Sequence, residues 1–287
     1  HNLILGLTNS LKNALKSFPK TKFNKIKLVV LSSALATNSV VNSEGNSVGL
    51  IVIGFDKNFV DRIEIKNHIK KFELFHLGGG HNADGSEENS LEISKIKLNL
   101  SKKFENLNSV AITGKFSVRN PDHELKTKEI IRSLLTIPVT CSHELTSNLN
   151  AQNRALTCAL NASLTGIISQ LITDVEKMIH EFNLKAKLMV VKGDGSIINS
   201  ISARSKPIET IMSGPAASSI GATWLSKIKD AFVVDIGGTT TDISIIKSGA
   251  PTVTKRGAKI GQFQTMIESI EVQTIGLGGD SEVKINE

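Results

Sequence analysis

Asp235 and Asp242 flank the run Gly237-Gly238-Thr239-Thr240-Thr241, a combination that could hold a phosphate group and its counter-cation. The apolar residues Phe232, Val233 and Val234 read as a strand ending in an acid, and Ile243 to Ile246 read as the return strand. Glycines let backbone come close to a ligand where side chains would block it. Threonine hydroxyls beside backbone N–H groups can wrap an anion. Paired carboxylates supply the hard oxygen ligands that Mg²⁺ prefers. A plain β-hairpin with a glycine turn is the rival reading, but it would need neither the acids nor the hydroxyls. We therefore expect Gly237, Gly238, Thr239, Thr240 and Thr241 to bind phosphate, with Asp235 and Asp242 as the catalytic acids that organise the cation.

A second glycine run, Gly276-Leu277-Gly278-Gly279-Asp280-Ser281, lacks the last glycine of a dinucleotide fingerprint, and no Gly-x4-Gly-Lys-Ser/Thr occurs in the chain. Gly278, Gly279, Asp280 and Ser281 are read as a ligand-facing loop, with a simple glycine turn as the alternative. His81 and Asp84 share a third glycine-rich stretch, Gly78 to Gly85, suited to holding a metal or substrate. His123-Glu124 and His143-Glu144 lack the His-Glu-x-x-His spacing of zinc enzymes. A metal at His81 and Asp84 would need His123 or His143 to converge, with His81 within about 5 Å of Asp84 or another histidine. A surface or hydrogen-bonded role is the plainer reading of each histidine. Cys141 beside His143 could be a nucleophile, although a buried small hydrophobe is the plainer reading. Ser213-Gly214-Pro215 reads as a helix start with Ser213 at the N-cap, whose exposed N–H groups could also take an anion.

These residues need elements to position them. Leu3, Leu7, Leu11, Ala14 and Leu15 recur at helical spacing, and Pro19 ends that helix. Ile26 to Leu31 reads as a buried strand, Ala36 to Val41 as a helix start, and Val48 to Ile53 as another strand. Phe72 to Leu77 is a strand running into the Gly78 loop, and residues 82–90 are loop by composition. Val110 to Ile112 and Pro138 to Cys141 read as short strands on either side of a helix at 122–135 opened by Asn120-Pro121. The wide apolar face from Leu156 to Phe182 predicts a long central helix packed on two sides. Leu188 to Val191 is a strand, Gly193-Asp194-Gly195 a turn, and 213–225 a helix. Strands alternating with helices predict an α/β fold with a largely parallel sheet.

The Asp235–Asp242 run resembles the phosphate hairpin of the actin, Hsp70 and sugar-kinase superfamily. Pro207 to Ser218 upstream, Thr274 to Val283 downstream, and Ala36 to Val41, Gly78 to Gly85 and Asn120 to Leu125 earlier narrow the match. Taken together the segments are similar to the hydantoinase A/5-oxoprolinase family, in particular its shorter members. The resemblance implies an actin-like (ribonuclease H-like) ATPase architecture, with largely parallel mixed sheets flanked by helices. Residues 1–228 would belong to the first lobe and 229–287 would open the second. Family members normally begin with a first Asp-Gly-Gly-Thr hairpin and continue into an adenosine pocket, so the chain is expected to be an incomplete fragment. The resemblance further implies ATP and Mg²⁺ as cofactors, with Asp235 as a metal ligand, and a second divalent metal drawn from His81, Asp84, His123 and His143. The activity it implies is ATP-dependent hydrolysis or activation of a cyclic amide or related carbonyl compound, with a second hydantoinase-type subunit as partner. Two alternatives are a small-molecule kinase of the same superfamily and a nucleotide-binding or partner-binding protein without turnover.

Composition narrows the partners. With 287 residues and 40% hydrophobic content, the chain is long enough for a substantial globular core. The net charge of +7 is dispersed in pairs such as Lys70-Lys71 and Lys102-Lys103, tyrosine is absent, and Trp224 is the single tryptophan. Stacking platforms for single-stranded nucleic acid are therefore missing, and we expect no nucleic-acid partner. No uninterrupted apolar run approaches the roughly 20 residues of a membrane helix, so no membrane partner is expected either. The two cysteines form no disulfide or metal pattern, which points to a reducing cytoplasm.

Overall fold

The computed structural model describes residues 3–56, 58–59, 69, 72–96, 104 and 106–282. Its centre is a parallel sheet of β2 (Val48–Ile53), β3 (Phe72–Leu77), β4 (Ser109–Gly114) and β5 (Val139–Cys141), ordered β3-β2-β4-β5. Every residue of β2 and β4 is buried. That is why β2 reads as a continuous apolar run: both faces of a parallel sheet are covered. The strand period of two assigns Val48, Leu50 and Val52 to one core, and Ile51 and Ile53 to a second core with Ile96, Phe104, Leu107 and Ile131.

The first core is organised by α4 (Ala151–Glu181), the long central helix expected from the sequence. Every residue from Arg154 to Thr165 is buried, so this half is packed all round. Beyond it, Ile168, Leu171, Ile172, Val175, Met178 and Ile179 leave a single buried stripe at helical spacing. By length and composition α4 could cross a membrane, but 72% of its most apolar window is buried inside the protein. It is a core helix. The helix α1 (Leu3–Lys16) lays Ile4, Leu7, Leu11 and Leu15 against this core.

A second sheet joins β1 (Leu28–Leu31), β6 (Lys187–Val191) and β7 (Ile197–Asn199), with β1 parallel and β7 antiparallel to β6. The reading of a buried strand at 26–31 is corrected here: β1 is an edge, and Leu28 and Val30 are 49% and 50% exposed. The helix α2 (Leu35–Val41) follows β1, while α3 (Asp122–Leu134) bridges β4 and β5 as expected.

Past the short helix α5 (Ser200–Ser205) and α6 (Ser213–Ser226), the pattern becomes antiparallel. The hairpin of β8 (Ala231–Ile236) and β9 (Thr241–Lys247) is joined on the far edge of β9 by Val272–Ile275 and the short pair Ala250–Pro251. Between these segments the chain returns to the first core, where Ala258, Ile260, Phe263 and Ile267 are buried with α4. Met266 N–H donates to Thr157 Oγ1 at 3.0 Å.

Candidate functional site

The first candidate site is the tip of the β8–β9 hairpin. The strand register sets Asp235 directly opposite Asp242 and Ile236 opposite Thr241. Directly opposed residues share a face of the ladder, so both carboxylates project to the same side, an arrangement that repels unless a cation or donors intervene. Asp242 accepts from Thr274 Oγ1 at 2.5 Å, while Asp235 has no side-chain partner among the described residues. The turn is closed by Gly237 N–H donating to Thr240 O at 2.9 Å. The N–H groups of Gly238, Thr239 and Thr240, and the hydroxyls of Thr239 and Thr240, meet no protein acceptor among the described residues. Residues 237–240 are all exposed. Successive free N–H groups on a tight turn make an anion nest.

The second glycine run seats itself on this tip. Gly279 N–H donates to Gly237 O at 2.9 Å and Asp280 N–H to Gly238 O at 2.8 Å. Thr241 Oγ1 donates to Leu277 O at 2.6 Å, and Ser281 Oγ accepts from Gly278 N–H at 3.0 Å. A Cβ at Gly278 would stand 2.4 Å from Gly238 O, so only glycine allows the approach. One at Gly238 would stand 2.7 Å from Asp280 Oδ2, which places that carboxylate over the turn. The structure thus gathers Asp235, Gly237, Gly238, Thr239, Thr240, Thr241, Asp242, Gly278, Gly279, Asp280 and Ser281 into one locus. The carbonyls of Gly237 and Gly238 face the second loop, while the N–H groups of Gly238, Thr239 and Thr240 and the hydroxyls of Thr239 and Thr240 stay unengaged among the described residues.

The second candidate site lies at the carboxyl edge of the parallel sheet, where the strand order reverses between β2 and β4. Such a switch point is the general ligand crevice of open α/β sheets. Here the loop after β3 fills it. Gly54 has φ +76°, and a Cβ there would lie 2.5 Å from Gly79 O; His81 N–H donates to Lys115 O at 3.2 Å. The rings of His81 and His123 lie with centroids 4.3 Å apart, tilted by 38°. His123 Nδ1 accepts from Gly80 N–H at 3.0 Å, which leaves Nε2 to donate to Glu87 Oε1 at 2.9 Å. His81 is 2% exposed and its Nδ1 has no hydrogen-bond partner among the described residues. Burial, then the neighbouring His123, push its pKa below the ordinary histidine value, against weaker opposing pulls from Asp122 and Glu87.

Asp84 and His143 are turned to other partners. Asp84 accepts from Ser86 N–H and Oγ at 2.9 and 2.7 Å, bonds that hold its carboxyl below the usual range. His143 Nδ1 meets Glu124 Oε2 at 2.5 Å. Of His81, Asp84, His123 and His143, only His81 offers an unengaged buried ligand atom, and the four do not share one shell. Among the described residues, the group with three ligand atoms within 4.8 Å of one another is Glu124, Cys141 and His143. It suits a metal poorly. Gly114 N–H and Ser142 Oγ saturate Glu124 Oε1, and His143 N–H and Nδ1 saturate Oε2. Burial drives the Cys141 thiol far above its ordinary pKa, so it stays a protonated small hydrophobe rather than a nucleophile.

Sequence reasoning missed Arg154, the largest fully buried side chain among the described residues. Its Nε donates to Ser142 Oγ at 3.0 Å and an Nη to Gly114 O at 2.6 Å, tying α4 to β4 and to the Glu124 network. Burial alone would raise the pKa of Glu124, but the bonds from His143, Ser142 and Gly114 outweigh it and hold the carboxyl below its ordinary value. The signal available was a single charge, Arg154, among the uncharged residues 145–173. The N-cap reading of Ser213 is also corrected. Met212, with φ 59°, is the cap residue, and Ser213 is 1% exposed because its hydroxyl donates to Ser33 O at 3.0 Å. It clamps α6 to the loop after β1.

The comparisons with known proteins agree with this architecture. Residues 1–135 match the model of the hydantoinase/oxoprolinase N-terminal region, and residues 154–287 match that of hydantoinase/oxoprolinase. The chain is 24% identical to caprolactamase subunit alpha of Pseudomonas jessenii, over 98% of this chain and 44% of that protein. It is 22% identical to 5-oxoprolinase 1 of Arabidopsis thaliana, over 94% of this chain and 24% of that protein. The crystal structure of the ATP-dependent caprolactamase from Pseudomonas jessenii shares the fold with TM-score 0.78 and 22% identity, over 99% of this chain and 44% of that one. A nucleotide-free acetone carboxylase structure, from work on ATP-dependent acetone carboxylation, does so with TM-score 0.77 and 21% identity, over 96% and 43%. The chain therefore spans less than half the length of these relatives.

Proposed function

The chain belongs to the hydantoinase/oxoprolinase family, and on that premise we propose that it serves ATP-dependent opening of a cyclic amide. The three adjacent unengaged N–H groups of Gly238, Thr239 and Thr240, beside the opposed Asp235 and Asp242, carry this reading. The turn would cradle the phosphates of ATP, with the Thr239 and Thr240 hydroxyls as further donors. Asp235 and Asp242 fit a hydrated Mg²⁺, since among the described residues one carboxylate has no partner and the other takes a single hydrogen bond. Mg²⁺ would supply neutralisation of phosphate charge when bound, and the oriented donors of the turn would supply the rest. Asp280, held over Gly238, closes one side of the site.

The reaction proposed is transfer of the γ-phosphoryl group to the amide oxygen with release of ADP, addition of water at the activated carbon, cleavage of the ring C–N bond with the protonated amine as leaving group, and hydrolysis of the resulting acyl phosphate by a second water to the acid and phosphate. Relatives named caprolactamase and 5-oxoprolinase support an amide ring as substrate. The acetone carboxylase likeness extends the same fold to activation of other carbonyl compounds. A relative that is itself a subunit supports a second hydantoinase-type subunit for turnover. The buried, unpaired thiols of Cys141 and Cys158 suit the cytoplasm. The test is a product assay on the full-length protein with its partner subunit, Mg·ATP and a panel of lactams and hydantoins. Ring-opened acid and phosphate in equal amounts is the expected result. A phosphorylated acceptor that keeps its ring would overturn the reading.

A further inference from the structure

Away from both glycine loops, a cleft of about 440 Å³ opens beside β5, the edge strand of the parallel sheet. Helix α3 contributes Lys128 and Arg132, one helical turn apart; the end of α5 and the residue after it contribute Arg204, Ser205 and Lys206. Pro138, Val139, Thr140, Glu144, Leu145 and Thr165 complete the lining. Four cations thus face one lining carboxylate; with Lys128 paired to Glu144 and Arg204 to Glu176, two positive charges are left uncompensated in one concavity.

Two of the cations are fixed in place. Arg204 donates to Ser169 O, Thr173 Oγ1 and Glu176 Oε2 at 2.7, 2.9 and 2.8 Å. Lys128 pairs with Glu144 at 2.5 Å, and Glu144 is anchored through its second oxygen by Cys141 N–H at 3.2 Å. The other two, Arg132 and Lys206, have no hydrogen-bond or ion-pair partner among the described residues. Like charges gathered in a concavity repel one another and focus a positive potential there. A guanidinium on one element and an ammonium on another match the oxygens of carboxylate or phosphoryl groups. The volume falls within the range of small-molecule sites.

We propose that this cleft binds a small, multiply charged oxyanion, held between Arg132 and Lys206 and oriented by Lys128 and Arg204. The site is separate from the hairpin and does not depend on the reading of that site. Calorimetric titration of the protein with pyrophosphate and, separately, with citrate tests it, the two arms distinguishing phosphoryl from carboxylate recognition. Saturable binding of at least one is expected, weakened about tenfold or more by Arg132→Ala and by Lys206→Ala. Lys185→Ala, an exposed cation elsewhere on the surface, should leave affinity unchanged. All three side chains lie at or near the surface, and thermal melts of each variant check that folding is retained. Absence of saturable binding overturns the proposal. So does binding that survives Arg132→Ala/Lys206→Ala, as pyrophosphate on the hairpin would, or binding that Lys185→Ala weakens equally.

Discussion

The loop at 78–88 and the turn at 237–240 both follow a strand and both carry paired glycines, yet their backbones are spent differently. In the first, Gly80 N–H goes to His123, Gly80 O to Glu88 N–H and His81 N–H to Lys115 O, and Gly54 and Gly79 touch backbone to backbone. Glycine there lets the chain pack on itself and fills the crevice at the end of the sheet. In the second, the carbonyls of Gly237, Gly238 and Thr240 are engaged while three N–H groups and two hydroxyls meet no protein acceptor among the described residues. Glycine there leaves room for something else. The number of glycines says little about ligand binding; the count of unengaged donors says more.

That contrast can be broken by mutation. The largest effect is expected at Glu124, whose loss would strand the buried Arg154 charge without compensation. Glu124→Leu should cost about 3–5 kcal/mol in urea unfolding. A cost below about 1 kcal/mol would mean that the network at the sheet edge does not hold the fold together. Because the Glu124 carboxyl is held below its ordinary 4.5, its contribution is present above that pH and is lost as pH falls through the lowered value. Acid unfolding of the wild type should reflect this, and the variant should lack it.

Gly54→Ala comes next. Its φ of +76° and the 2.5 Å approach to Gly79 O leave no relaxed place for a methyl group. We expect a loss of about 1–3 kcal/mol by chemical denaturation. Gly237→Ala meets only Thr240 O at 3.3 Å and should stay within about 0.5–1 kcal/mol of wild type. Equal costs at both positions would erase the distinction between the two loops.

A smaller effect follows from His81. Its folded-state pKa lies below the ordinary 6.5, so the unfolded chain binds a proton first as pH falls. Stability should therefore decline as pH drops from above 6.5 toward the depressed value, and His81→Asn should flatten that decline. His123, Glu87, Asp122 and Lys126 act on the same ring, so the slope difference between melts of wild type and variant is the quantity to compare. Identical slopes would place the buried imidazole outside the pH response.

Much of this was legible in the sequence, for reasons that differ by element. The hairpin was readable because glycine, threonine and aspartate sit within one turn, where local geometry suffices. The helix α4 was readable because its apolar stripe is long. The edge position of β1 was not, since Leu28, Val29 and Val30 look buried until strand order shows that, among the described residues, β1 pairs on one side only. Nor was the Glu124–Ser142–Arg154 network, which joins three segments that only the sheet brings together. Ser213 misled for a related reason: its partner, Ser33, is remote in sequence. The short pairs Val253–Ile270 and Lys259–Gln264 carry no period long enough to read.

The most direct measurement is Mg·ATP affinity of the full-length protein by calorimetry, for wild type and Asp235→Asn, with melting curves of both. The Asp235 carboxylate has no hydrogen-bond or ion-pair partner among the described residues, so its replacement should leave the melting temperature nearly unchanged. If it faces bound Mg²⁺, affinity should fall about tenfold or more. Unchanged affinity in a folded variant would contradict the assignment of the hairpin as the phosphate site.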